Sequence, residues 1–185
     1  KSEDSTSKFW EMNIGEKGSY FDNVYNSEIE LSVPTVENQT FNNQSFHADI
    51  RNNEGRKLKD DFFNTVQVYT DRQNSNSLPL ISGNGFAPTK LDNEVFYKFR
   101  NDEYRVAIPR DSVKDNDLDI FDLTNIYEPL GGTAVTDSKY PIRPRIKGDY
   151  AIFKYVYQNE SSTNVSKDNS FVLREIRTIF ENNIR

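Results

Sequence analysis

Apolar and polar residues alternate along most of this chain, the period of a strand with one buried face. In Glu28–Val33 the apolar Ile29, Leu31 and Val33 alternate with Glu28, Glu30 and Ser32, and Pro34, which lacks an amide hydrogen, is expected to end the strand. Ser45–Arg51 repeats the pattern, with Phe46, Ala48 and Ile50 on one face and His47, Asp49 and Arg51 on the other. Asn52-Asn53-Glu54-Gly55 supplies turn chemistry in which Gly55 can take a positive φ. The β-branched and aromatic run Thr65–Tyr69 predicts a further strand.

The sharpest local expectation is a hairpin over 95–108 turning at Asn101-Asp102. That turn sets Arg100 opposite Glu103, Phe99 opposite Tyr104, Lys98 opposite Arg105, Tyr97 opposite Val106 and Val95 opposite Ile108. Opposed residues share a face, so one side is continuously apolar and the other carries the charges. A slip of one residue would destroy the match.

From Tyr150 to Gln158 both faces are apolar, as in a central strand covered on two sides. In the tail, Val172, Leu173, Ile176, Ile179 and Phe180 recur at helical spacing, Ser170 can cap, and Arg177 and Glu181 stand four apart. This predicts a C-terminal helix near 171–182, with a terminal strand as the competing assignment. Residues 71–93 and 128–147, rich in Gly, Pro and Asn, are expected to be long irregular connections. The fold expected is mainly β: a two-sheet antiparallel sandwich of about seven to nine strands with long loops and one C-terminal helix, with α+β as the alternative. Residues 1–8 are expected to form a flexible leader and 9–185 a single β-rich domain.

Composition sharpens this picture by exclusion. The 185 residues have a mean hydropathy of -0.81, yet 13 Phe, 10 Tyr and 1 Trp are too many aromatics for a disordered chain. The absence of Cys and the single His leave no disulfide framework, no zinc ribbon and no Cys nucleophile. A formal charge of -6 with scattered basic residues gives no footprint for nucleic acid or an anionic membrane. No run approaches the ~18 apolar residues that span a bilayer. The leader Lys1-Ser2-Glu3-Asp4, with its Ser/Thr spacer, resembles the stretch after the lipidated cysteine in mature Bacteroidetes-type envelope lipoproteins. That resemblance implies an extracellular or cell-envelope location, a lipid anchor on a cysteine preceding Lys1, and a protein or glycan partner at the cell surface.

Candidate chemistry is sparse. Asp115, Asp117 and Asp119 alternate in an acidic segment that also holds Asp111 and Asp122, and converging carboxylates are what calcium requires. An EF-hand is excluded, since Ile120 stands where its loop needs Gly and Ile126 where it needs Glu; a solvated acidic turn is the simpler assignment. Gly83-Asn84-Gly85 and Gly131-Gly132-Thr133 lack the Gly-Lys-Ser/Thr ending of a phosphate loop. Trp10, Phe9, Tyr20, Phe21, Tyr25, Tyr150, Tyr155 and Tyr157 could stack on sugars or fill a core. A Ser-His-Asp site would have to use His47 with Ser45 and Asp49, whose roots two residues apart on a strand lie about 6.5–7 Å away, too far to hold nucleophile and base in contact. The function expected is a non-catalytic binding or structural module of the bacterial cell envelope, with no cofactor beyond a calcium ion at Asp115, Asp117 and Asp119. The alternative is a carbohydrate-binding or weakly carbohydrate-active protein.

Overall fold

The computed structural model describes residues 17–20, 23–83, 94–112, 144–160 and 166–181. Its strands are β1 (Ser19–Tyr20), β2 (Asn23–Val24), β3 (Ser27–Arg51), β4 (Thr65–Tyr69), β5 (Leu78–Ser82), β6 (Val95–Arg100), β7 (Glu103–Ala107), β8 (Lys147–Tyr157) and β9 (Ser170–Glu181). Five of them follow one another in space as β7-β6-β5-β4-β8, and β3 joins both ends by pairing with β8 and with β7. The result is a closed six-stranded barrel, mixed because β5 and β6 run parallel. Outside the ring, β9 lies antiparallel along β3, while β1 and β2 form a separate small hairpin.

The expected two-sheet sandwich is therefore not formed, and β3 is the reason. Pro34 does not end a strand: the ladder to β8 runs from Ser27 opposite Tyr157 to Pro34 opposite Tyr150, then resumes at Gln39 opposite Gly148. Four residues bulge out where one would fit, and Val36 at their centre is 96% exposed. A second extra residue, Asn42, sits between the pairs Phe41–Phe180 and Asn43–Ile179. It switches the inward set from odd positions (Ile29, Leu31, Val33, Phe41) to even ones (Gln44, Phe46, Ala48, Ile50). Bulges bend a strand and increase its twist. The bent strand of 25 residues gives its first half to β8 and its second to β7 and β9, which closes a ring where a straight strand would leave open edges.

The predicted C-terminal helix is likewise overturned: 170–181 is β9, and no helix occurs among the described residues, which removes the α+β alternative as well. Glu175 faces His47 and Leu173 faces Ala48, so Arg174 has no opposite number on β3. Phe171 and Leu173 before this bulge, and Ile176, Thr178 and Phe180 after it, each keep a period of two. The step of three across Arg174 is what imitated helical spacing. Arg177 pairs with Glu175 two residues back, as a strand allows, and Glu181 pairs with Arg145.

The hairpin and turn expectations hold. β6 and β7 pair in the predicted register at Arg100–Glu103, Phe99–Tyr104, Lys98–Arg105 and Tyr97–Val106, with Asn101 (φ 53°) and Asp102 (φ 62°) both left-handed as a type I′ turn requires. Gly55 turns with φ 79°. The two-sided cover expected of 150–158 is not found: β8 buries only Ala151, Phe153, Tyr155 and Tyr157, because a barrel wall has a single inner side, and Tyr150 is exposed. The expected loop over 71–93 contains β5, which passes Pro79 opposite Thr65 of β4.

Aromatic rings fill the barrel. Phe46 meets Phe62, Phe63 and Tyr155 edge-on at 5.1–6.0 Å, and Phe41 meets Phe153 and Phe180 at 5.6 and 5.3 Å. The segment from Lys57 to Asn64 plugs one end. Its Phe62 stacks on Tyr104 at 4.4 Å, and tyrosine hydroxyls of the wall hold its backbone: Tyr104 donates to the Leu58 carbonyl at 2.8 Å and Tyr97 to the Asp60 carbonyl at 2.7 Å. Tyr157 donates to Asp61 Oδ2 at 2.7 Å. Burial pushes the Tyr97 hydroxyl up to about 12, and raises Tyr104, Tyr155 and Tyr157 further.

Candidate binding surface

Where β3 bends away, a groove of about 380 Å³ opens between Leu31–Pro34 of β3 and Ile176, Thr178 and Phe180 of β9. Leu31 and Val33 face inward, Ser32 and Pro34 outward, so β3 shows its whole edge to the groove, while β9 shows only its inward face. None of these residues is charged. Leu31, Val33, Ile176 and Phe180 also pack on the core, and Thr178 Oγ1 accepts a hydrogen bond from Gln44 Nε2 at 2.8 Å. The buried Gln44 in turn accepts from the Tyr155 hydroxyl, so the groove floor is fixed to the barrel interior.

The polar outer wall beside the groove carries the lone imidazole. His47 Nε2 of β3 lies 2.8 Å from Glu103 Oε1 of β7 and 3.9 Å from Glu175 Oε2 of β9. Arg177 reaches Glu175 at 2.7 Å and Glu103 at 3.9 Å, and Arg105 reaches Glu103 at 3.3 Å. The Arg177 guanidinium holds the Glu175 carboxyl below the usual carboxylate range. His47 thus stands on the outer face, as its alternation predicts, with carboxylates as its neighbours; the network joins three strands across the sheet.

No family model and no curated protein matches this chain. Asp115, Asp117 and Asp119 lie outside the described residues, as do Trp10, Phe9, Phe21 and the Gly131-Gly132 pair. Asp111, the described member of the acidic segment, is buried and accepts from the Asn74 amide at 3.3 Å, a structural role. Among the described residues no group of three or more His, Asp or Glu could hold a metal ion. Tyr155 and Tyr157 belong to the core, and Tyr25 and Tyr150 are the exposed aromatics among the described residues. The groove itself was missed in the sequence: Leu31, Val33, Ile176 and Phe180 all read as ordinary core positions, and the bend that half-uncovers them has no signature except Pro34.

Proposed function

We propose that this chain is a non-catalytic binding module of the bacterial cell envelope, a barrel whose ring is a rigid support and whose working surface is the β3–β9 groove. One observation carries the proposal: the barrel interior is packed with aromatic rings and plugged by 57–64, whereas the groove leaves core-type side chains open to solvent. Placement at the envelope draws on the leader Lys1–Asp4 alone. The sugar-binding alternative needs a row of exposed rings, and the described rings lie chiefly in the core, so no specific observation favours it. His47, paired with Glu103 and Glu175, is given no catalytic part.

The test is site-specific photo-crosslinking in cells that express the protein, with benzoylphenylalanine at Ser32 beside the groove and at Gln67 on β4 as the comparison. A discrete adduct at Ser32 that Gln67 does not give, and that His47→Ala leaves intact, is expected. The same yield at both positions, or none at Ser32, would overturn the assignment of the groove.

A further inference from the structure

We draw no further inference here: the strongest candidate, the His47–Glu103–Glu175 cluster on the outer wall where β3, β7 and β9 meet, already pairs its two carboxylates with Arg105 and Arg177 and, among the described residues, brings together no set of side chains able to hold a metal ion.

Discussion

Removing the Phe62 ring tests whether the 57–64 segment is part of the core or a loop lying over it. Phe62 is 2% exposed and has ring neighbours at 4.4 Å (Tyr104), 4.8 Å (Phe63), 5.2 Å (Tyr97) and 5.3 Å (Phe46). A buried Phe→Ala change costs about 3–5 kcal/mol. Aromatic pairs add roughly 0.5–1.5 kcal/mol each beyond area, though not additively, which places Phe62→Ala in the upper half of that range. Against a total stability of about 5–15 kcal/mol this is a large fraction. For a chain of this size 4 kcal/mol corresponds to a fall in Tm of roughly 8–16 °C. Urea unfolding followed by far-UV circular dichroism measures it, with Ile179→Ala, half-exposed on β9, as a control within about 0.5 kcal/mol of wild type. A loss below about 1 kcal/mol for Phe62→Ala, at unchanged m-value, would refute the plug.

The buried tyrosines predict alkaline unfolding. In the unfolded chain their hydroxyls ionise near ~10, but Tyr97 does so at about 12 in the fold and Tyr104, Tyr155 and Tyr157 are also raised. Above pH ~10 the unfolded state has lost protons the native state keeps, so their contribution, complete below that pH, declines as pH rises through the folded values; tyrosinate absorbance should show a second, cooperative phase coincident with loss of circular dichroism, and a single phase near pH 10 with the fold retained would contradict this. Deleting Arg174 removes the β9 bulge and must turn either Phe171 and Leu173 or Ile176 and Phe180 to the wrong face, so the deletion should unfold the protein or strip β9 from β3, whereas Arg174→Ala should shift stability by less than about 0.5 kcal/mol. Proteolysis that cuts both variants equally slowly would argue against the bulge. Gly18, at φ +75°, has the Asn159 side chain 2.6 Å from where a Cβ would sit. Gly18→Ala should therefore cost about 1–3 kcal/mol and loosen the β1–β2 hairpin, seen as faster amide exchange at Tyr25, whose N–H donates to the Gly18 carbonyl; unchanged exchange would contradict the close packing.

Local pattern made the strands visible and left their assembly hidden. The β6–β7 hairpin was legible because two-residue turn and face matching each fix the register by themselves. The inward positions Phe46, Ala48 and Ile50 were legible from period two, whereas in β8 both faces are apolar in sequence and the pattern did not distinguish the buried Phe153 and Tyr155 from the outer side. Bulges defeated the rest: Arg174 broke the period in β9 so that a strand looked helical, and the extra residues near Pro34 and Asn42 made one long strand look like two. Barrel closure depends on that bend, since only a β3 that changes neighbours halfway can meet both β8 and β7. The groove follows from the same bend, and nothing in the alternation of Leu31 and Val33 distinguishes a half-uncovered position from a sealed one.

The barrel and the groove both depend on the pairing of β3 with β7, and a chain without cysteine allows a clean test of it. Ser45 lies opposite Arg105, and Arg105 lies opposite Lys98 one strand further round. Directly opposed antiparallel residues have Cα atoms about 4.5–5.5 Å apart, within reach of a disulfide, whereas two strand spacings, ~9.6 Å, exceed the ~7 Å limit. Mild oxidation of the folded double variant Ser45→Cys/Arg105→Cys should give a near-complete intramolecular disulfide, scored by thiol titration and mass spectrometry, while Ser45→Cys/Lys98→Cys keeps free thiols. Free thiols in both variants, or faster oxidation of the second, would contradict a closed barrel.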